Sequence, residues 1–251
     1  MEKTLSGKTI LITGGTSRLG RAFVAKALSE GARVFFTYYR DEETAKTLAA
    51  RGGEAFQLDL ASTQALDDFS KIIKDKVERL DAVIHNAACV RDHTIQNLTE
   101  EEWDAVMAVD LKAPYYLTKK LLPLLMKKKK PGEDEKKATS KIFMITSRVA
   151  LTGGVGVSNY AAAKAGLIAL AKSLAQELGK RNVLVNAVNP GFMKSPMTKN
   201  LPEEVLQRNL EASPLSRFSE PGEVADFLVF LCSERMTQVT GQVFHFESRK
   251  I

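Results

Sequence analysis

A chain of 251 residues with 44% hydrophobic and 26% charged residues is long enough for one large α/β domain and short for two. Its formal charge of +6 would suit an anionic cofactor or an acidic partner, but no aromatic-interleaved basic motif supports nucleic-acid binding. No apolar run approaches the roughly eighteen residues that span a bilayer and no signal-peptide pattern opens the chain, so we expect a cytoplasmic protein without membrane contact.

Cysteine and histidine are too scattered to suggest a metal site. Cys89, Cys232, His85, His93 and His245 stand singly, without the C-x-x-C or H-E-x-x-H spacings of zinc proteins. Two lone cysteines also give no disulfide framework. We therefore expect neither a structural disulfide nor a bound metal.

Short apolar runs alternate along the chain with helical patterns. Runs of this composition predict strands buried on both faces, and the intervening helices predict parallel pairing. The sequence thus predicts a single α/β domain over residues 1–251, a Rossmann-type doubly wound parallel sheet of about seven strands with helices on both faces. The predicted strands cover residues 8–13, 33–38, 54–59, 82–87, 141–146, 183–188 and 242–246.

One helical segment carries a recognisable start signal. Within residues 97–110, Thr99 and Glu102 have the spacing of a capping box, and Leu98 can pack on Trp103 across the helix start. We therefore predict that Trp103 packs against the protein rather than binding a ligand.

A charged stretch precedes the fifth predicted strand. Residues 127–141 are mostly charged and show neither helical nor strand periodicity. Such a run predicts a solvated surface loop.

The segment TGGTSRLG, residues 13–20, joins the first predicted strand to the first helix. Its glycines permit a tight turn, and the helix start leaves backbone N–H groups and the positive end of the helix dipole facing that turn. Such helix starts bind phosphate. Because this turn follows the first strand of an alternating α/β chain, it favours a dinucleotide site over a simple strand-helix connection.

The end of the second predicted strand bears on the choice of dinucleotide. NAD sites usually place a carboxylate there to accept from the ribose 2′-hydroxyl, whereas a 2′-phosphate requires a nearby arginine. This strand ends with Tyr38 and Tyr39, and Arg40 follows. The pattern favours NADP(H), although Asp41 beside Arg40 leaves NAD(H) open.

The segment SNYAAAKAGL, residues 158–167, places Tyr160 and Lys164 on one face of a helix, and its alanines leave room for a flat cofactor. A phenol is a poor acid at neutral pH until an ammonium stabilises its phenolate, so Lys164 would lower the pKa of Tyr160. Ser147 follows the fifth strand, where open α/β sheets bind ligands. This set predicts proton donation to a carbonyl oxygen during hydride transfer.

These motifs resemble those of the short-chain dehydrogenase/reductase family, and the match covers nearly the whole chain. The resemblance implies that Ser147 orients the carbonyl oxygen, Tyr160 protonates it, and Lys164 also binds the nicotinamide ribose. The family's fourth catalytic residue, an asparagine, is Asp110 here. An aspartate at that position should strengthen the hold on the proton of Lys164.

The same resemblance implies a cofactor site made of several segments. HNAA at residues 85–88 would lie beneath the cofactor, Asp59 would contact adenine, and NPGFMKS at 189–195 would hold the nicotinamide amide. The implied cofactor-binding residues are Gly14, Thr16, Ser17, Arg18, Leu19, Gly20, Tyr39, Arg40, Asp59, Leu60, Asn86, Ala87, Ala88, Tyr160, Lys164, Pro190, Gly191, Met193 and Ser195.

Within the family, the chain looks most like the bacterial 3-oxoacyl-acyl carrier protein reductases of fatty acid biosynthesis. This likeness implies an NADPH-dependent reductase that transfers hydride to the ketone of a 3-oxoacyl thioester. The implied docking surface for acyl carrier protein comprises Lys127, Lys128, Lys129, Lys130 and Arg181. A solvated lysine-rich loop without a partner fits these lysines equally well.

Two segments bear on the substrate and the assembly. Residues 193–215 combine prolines, charges and a short helical pattern, and we expect them to form the substrate lid. The terminal VDGG of relatives, which commonly contributes to subunit contacts, is HFES at residues 245–248. The family resemblance implies a homo-oligomer, a tetramer or a dimer.

The departures from the family leave two other functions open. Arg18 replaces the middle glycine of the cofactor turn, as is typical of pteridine reductases, so reduction of a pterin or dihydrofolate ring is one alternative. Those enzymes generally have aspartate in place of Ser147, which favours the ketone. Arg18, Asp110 and the altered C-terminus also admit a non-catalytic NADP(H)-sensing regulatory protein, although the complete Ser147, Tyr160 and Lys164 set argues against it.

Overall fold

The computed structural model describes residues 3–126, 139–193 and 203–249. The strands in these ranges are β1 (Thr9–Ile12), β2 (Arg33–Tyr38), β3 (Glu54–Gln57), β4 (Ala82–His85), β5 (Ser140–Ile145), β6 (Val183–Asn189) and β7 (Val243–His245). They form one parallel sheet in the order β3-β2-β1-β4-β5-β6-β7. The predicted single-domain, doubly wound parallel sheet is confirmed.

Helices cover both faces of this sheet. They are α1 (Arg18–Ser29), α2 (Glu42–Ala50), α3 (Thr63–Lys76), α4 (Glu100–Met107), α5 (Ala113–Leu125), α6 (Val149–Thr152), α7 (Ser158–Leu178), α8 (Glu203–Glu211) and α9 (Pro221–Cys232). The capping box predicted at the start of α4 is present, with Thr99 and Glu102 exchanging two side chain to backbone hydrogen bonds of 3.2 Å. No helix in the described ranges combines the length and apolarity needed to cross a bilayer.

Apolar side chains of the strands alternate between two cores on opposite faces. In β2, Val34 and Phe36 belong to the core that includes residues of α1 and α9. Phe35 belongs to the opposite core, with residues of α3, α5 and α7. Because successive side chains of a strand point to opposite faces, both faces must be covered, which explains the continuous apolar character of the strands.

The topology brings the predicted site residues to one edge of the sheet. The strand order reverses between β1 and β4, since β2 and β3 lie on one side of β1 and the later strands lie beyond β4. In open parallel sheets, ligands bind in the crevice at the carboxyl ends of the strands where this reversal occurs. The turn after β1 and the residues that follow β4 and β5 meet at this crevice.

The charged segment predicted at residues 127–141 overlaps the fifth strand at its end. Residues 127–138 lie outside the described ranges, but Ser140 and Lys141 already belong to β5, so the predicted loop boundary at 141 is wrong. The Lys141 Nζ is buried and donates to the Cys232 carbonyl at 3.1 Å and to the Ser233 carbonyl. The negative end of α9 offsets part of the cost of burying this ammonium group, a long-range contact that local charge patterning does not reveal.

Candidate active site at the carboxyl ends of the strands

The turn between β1 and α1 is as tight as its glycines suggest. Gly14 has φ +66°, and a Cβ added at Gly20 would lie 2.2 Å from the Gly14 carbonyl oxygen. Ser17 caps α1 by accepting from the Gly20 N–H at 3.1 Å. Arg18 and Leu19 therefore lie in the first turn of α1, where the positive end of the helix dipole suits an anion at this edge.

Asn86 fastens this turn to the end of β4. Its Nδ2 donates to the carbonyls of Thr13 at 3.0 Å and Gly14 at 2.9 Å, and to Ser17 Oγ at 3.1 Å. Thr13 Oγ1 in turn accepts from the backbone N–H groups of Asn86 and Ala87, both at 3.1 Å. Sequence reasoning missed Thr13 as a site residue; its place as the first residue of the glycine-rich turn is the only signal.

His85, the first residue of HNAA, packs inside the protein and is not part of the crevice surface. The side chain is buried at the end of β4, and its Nε2 lies 2.8 Å from Thr118 Oγ1 on α5. Burial lowers the pKa of His85 to about 3. The imidazole is therefore neutral at physiological pH and supplies no charge to the crevice.

The ends of β2 and β3 carry the residues expected to choose between the dinucleotides. Tyr39 and Arg40 are exposed after β2, and the Arg40 Cζ lies 5.0 Å from the centre of the Tyr39 ring. Asp59 is exposed after β3 and accepts from the Ala61 N–H at 2.9 Å, while Leu60 is buried. An exposed arginine at the end of β2 leaves a positive group at the edge where a 2′-phosphate would lie.

Helix α7 brings Tyr160 and Lys164 together, and the end of β5 adds Ser147. The Lys164 Nζ lies 5.3 Å from the centre of the Tyr160 ring, and Ser147 hydrogen-bonds to the Tyr160 side chain. The Lys164 Nζ also donates to the Ile145 carbonyl at 3.1 Å, and Thr146 Oγ1 donates to the Lys164 carbonyl at 2.9 Å. These bonds tie α7 to β5, so the three predicted catalytic side chains share one place.

Asp110 lies under this group, on a π-helical turn at Ala108–Lys112. Its Oδ2 is 3.1 Å from the Lys164 Nζ, and its Oδ1 accepts from the Cys89 N–H at 2.6 Å. Burial alone would lower the pKa of Lys164, but the charge of the nearby Asp110 carboxylate, with that of Tyr160 in its ionised form, outweighs burial and raises the pKa above its usual value. Lys164 therefore stays charged at physiological pH.

The pKa of Tyr160 is raised in the structure, whereas the sequence predicted that Lys164 would lower it. Burial raises the pKa of Tyr160, and the charges of Asp110 and Asp92 act in the same direction. Lys164 and the hydrogen bond from Ser147 lower this pKa without outweighing them. Only the family resemblance pointed to Asp110 at this site, and nothing in the sequence pointed to Asp92, because both reach the phenol from other segments.

Asn159, directly before Tyr160, is a second site residue that sequence reasoning missed. It is fully buried, and its Nδ2 donates to the Arg91 carbonyl at 2.8 Å. This bond holds the loop after β4 against the start of α7. An asparagine inside an alanine-rich helix start was the available signal, since a polar group there needs a partner.

The segment after β6 is tightly packed at its glycine. Pro190 is buried, Gly191 has φ +79°, and a Cβ there would lie 2.2 Å from Ser219 Oγ. Met193 packs against the core. Ser195 and Lys127, Lys128, Lys129 and Lys130 lie outside the described residues, whereas Arg181 is exposed and its Nη1 lies 3.7 Å from the Met126 sulfur.

The residues present fit a bound dinucleotide. The turn after β1 has backbone positions that a Cβ would fill, at Gly14 against the Ala87 backbone and at Gly20 against the Gly14 carbonyl. Phosphate groups approach backbone closely only where side chains are absent, and a helix start beside them favours negative charge. Tyr160 and Lys164 lie along the same sheet edge, on α7.

Comparison with known proteins identifies the family. A family model described as enoyl-(acyl carrier protein) reductase matches residues 14–248. The 3-oxoacyl-[acyl-carrier-protein] reductase FabG of Aquifex aeolicus is 37% identical over 251 residues, 98% of each chain. FabG of Thermotoga maritima is 35% identical over 244 residues, covering 95% of this chain and 96% of the relative.

A solved structure agrees with these matches. The Pseudomonas aeruginosa RhlG/NADP active-site complex superposes with a TM-score of 0.87 at 26% identity, covering 98% of this chain and 97% of that one. The agreement extends over the whole sheet and its helices. The chain therefore belongs to the short-chain dehydrogenase/reductase family of oxidoreductases.

Proposed function

We propose that this protein is an NADPH-dependent reductase that converts a ketone to a secondary alcohol, with a 3-oxoacyl thioester on acyl carrier protein as its substrate. The observation that carries the proposal is the meeting of Ser147, Tyr160 and Lys164 at the crevice beside the turn after β1. The FabG relatives, 3-oxoacyl-[acyl-carrier-protein] reductases by name, support the substrate class.

The chain's own residues account for the acid half of the reaction. A bound nicotinamide would supply the hydride to the carbonyl carbon. Ser147 donates a hydrogen bond that orients the carbonyl oxygen, and Tyr160 gives that oxygen a proton. The raised pKa of Tyr160 keeps the phenol protonated at neutral pH, and the Lys164 ammonium stabilises the phenolate that forms. Positioning contributes beyond the roughly 10² to 10⁴-fold typical of proton transfer.

Two arginines support NADPH over NADH. Arg40 follows β2, where a 2′-phosphate would lie, and Arg18 begins α1 beside the phosphate turn. The RhlG complex, which contains NADP, has the same fold. A guanidinium at either position matches a phosphate in both charge and geometry.

The decisive test compares Tyr160→Phe with Tyr115→Phe. Tyr115 is an exposed tyrosine on α5, away from the crevice, and serves as the matched control. With acetoacetyl thioester and NADPH, we expect Tyr160→Phe to lower kcat at least about 100-fold and to leave NADPH binding intact. Full turnover by Tyr160→Phe would refute the mechanism. If the variant bound NADPH and every cellular phenotype persisted, the NADP(H)-sensing regulatory role would replace it.

A second candidate reaction is reduction of a carbon-carbon double bond. The matching family model is described as enoyl-(acyl carrier protein) reductase, and both substrate classes share the acyl carrier. The pterin alternative rests on Arg18 at the head of α1. NADPH oxidation should be measured with acetoacetyl thioester, crotonyl thioester and dihydrobiopterin. Turnover of the ketone alone supports our proposal, and activity confined to either other substrate replaces it.

Carrier-protein docking and assembly complete the proposal. Arg181 is exposed, and its Nη1 lies 3.7 Å from the Met126 sulfur, so we propose that Arg181 belongs to a basic docking surface. An acidic carrier protein would bind such a surface. Arg181→Glu should raise the KM for acyl carrier protein thioesters and not that for a pantetheine-length thioester.

We also propose a cytoplasmic homo-oligomer, a tetramer or a dimer. Light scattering of the full chain would test the oligomeric state.

A further inference from the structure

The chain's last described residues fold back onto the same subunit. After β7, the Phe246 N–H donates to the Asn189 carbonyl at 2.8 Å. The Arg249 guanidinium then forms a two-pronged ion pair with Glu247, with Nε to Oε1 at 2.8 Å and Nη2 to Oε2 at 2.5 Å. Both side chains are buried. Two parallel hydrogen bonds fix the relative orientation of a guanidinium and a carboxylate, so the Glu247–Arg249 pair holds the end of the described chain in a defined position.

This ion pair is attached to α8. The Arg249 Nη1 donates to Asn209 Oδ1 on α8, and Ser248 Oγ lies 2.5 Å from Ser213 Oγ just beyond that helix. None of the α8 side chains is buried. Because a helix without buried side chains gains little from packing, its placement depends on polar contacts such as these. We call Asn209, Ser213, Glu247, Ser248 and Arg249 the tail clamp.

The tail clamp also contacts the segment that follows β6. The Arg249 Cζ lies 5.2 Å from the centre of the Phe192 ring, and Phe192 directly follows Gly191 in the segment expected to hold the nicotinamide amide. The charge of Arg148, the neighbour of Ser147, acts on the Glu247 carboxylate. The tail clamp therefore connects α8 to Phe192 and lies within electrostatic range of Arg148.

We propose that Arg249 is a positioning residue: paired with Glu247, it joins α8 to Phe192 and sets where α8 lies beside the substrate crevice within one subunit. Glu247 and Ser248 of the tail clamp belong to the HFES segment, residues 245–248, which stands where relatives have VDGG. The effect of this placement on substrate KM rests on the proposed function, whereas the placement of α8 itself does not depend on it.

The first test changes only the α8 side of the tail clamp. Asn209→Ala removes the acceptor, together with the bond that Asn209 Nδ2 donates to the Val205 carbonyl at 2.7 Å, and leaves the buried Glu247–Arg249 pair intact, so the protein should fold. Gln207→Ala, on the same helix, is the matched control, because Gln207 bonds only to the exposed Glu211 among the described residues. By hydrogen exchange of the full chain, amides of 203–211 should exchange about tenfold faster in Asn209→Ala, as loss of one charge-assisted hydrogen bond predicts. Gln207→Ala should not differ from wild type.

A second variant removes the ion pair without leaving an unpaired buried charge. The double variant Glu247→Gln/Arg249→Met should also accelerate exchange over 203–211, with β5 and β6 unchanged as evidence of an intact fold. If the α8 amides exchange at the wild-type rate in both variants, the tail clamp does not position α8 and the inference is wrong. The inference is also wrong if these amides exchange as fast in Gln207→Ala as in Asn209→Ala.

Kinetics then connect the tail clamp to substrate binding. With an active ketone substrate, Asn209→Ala should raise KM several-fold, with kcat and the Kd for NADPH near wild type. A fall in kcat without a change in KM would contradict the positioning role. If wild type reduces no ketone at all, the proposed function fails, but the exchange comparison still decides whether the tail clamp places α8.

Discussion

The Lys164 Nζ lies 3.1 Å from Asp110 Oδ2, and the two side chains are almost completely enclosed, at 2% and 0% exposure. Enclosed opposite charges interact strongly because little water screens them. The pair fixes a positive charge under Tyr160 and also places a carboxylate near the phenol, where family relatives would have a neutral amide. Lys164 and Asp110 thus act on the phenol with opposite signs.

Replacing Asp110 by asparagine should change the pH dependence of catalysis. Asp110 raises the pKa of Tyr160, together with burial and Asp92, against Lys164 and Ser147. Asp110→Asn therefore lowers that pKa. Alcohol oxidation needs the phenolate, so the acid limb of its kcat profile should move down by about one pH unit, as removal of a like charge predicts. Ketone reduction needs the protonated phenol, so the alkaline limb of the kcat profile for reduction should also move to lower pH in Asp110→Asn.

Profiles of kcat against pH in both directions measure this change. Asp104→Asn, an exposed carboxylate on α4, is the control and should leave both limbs in place. If Asp110→Asn shifts neither limb, or shifts them upward, the electrostatic role assigned to Asp110 is wrong.

The fold could be predicted because its information is local. The central strands have apolar runs, and helices such as α4 begin at capping residues that can be recognised in the sequence. The Tyr160 and Lys164 pair is also local, four residues apart on one helix. In contrast, Asp110 meets Lys164 through a π-helical turn, and Arg249 meets Asn209 across the fold. Such contacts depend on tertiary packing, so periodicity and spacing did not reveal them.

Arg40 gives a test of cofactor choice. If its guanidinium meets the 2′-phosphate, Arg40→Ser should raise the KM for NADPH by about tenfold or more, the loss expected from one charge-assisted contact, and change the KM for NADH little. Arg51→Ser, at the far end of α2, is a matched exposed arginine and should alter neither. Equal loss with both dinucleotides would place Arg40 outside the 2′-phosphate site.

Gly20 gives a test of the phosphate turn. A Cβ at this position would lie 2.2 Å from the Gly14 carbonyl oxygen and 2.9 Å from the Gly15 Cα, so the backbone of the turn must move. Gly20→Ala should raise the Kd for NADPH at least about tenfold, because a loss of about 1.4 kcal/mol in binding free energy already has that effect. Fluorescence titration of NADPH measures it. Gly222→Ala on α9, with open space around the added methyl, should bind as wild type does. Unchanged affinity in Gly20→Ala would show that this turn does not hold the cofactor.

Lys141 predicts how stability depends on pH. Burial lowers the pKa of Lys141 to about 8, with Lys8 adding to the shift and Glu234 and Asp81 opposing it. Between this value and the usual 10.5 the unfolded chain binds a proton that the folded chain lacks, so the contribution to stability rises with pH across that window. Relative to Lys141→Met, the free energy of unfolding of wild type should increase by about 2 kcal/mol between pH 7.5 and 10. Urea titrations measure this difference, with Lys172→Met, an exposed lysine on α7, as the control that should parallel wild type. Parallel pH profiles for wild type and Lys141→Met would mean that Lys141 keeps an ordinary pKa in the folded protein.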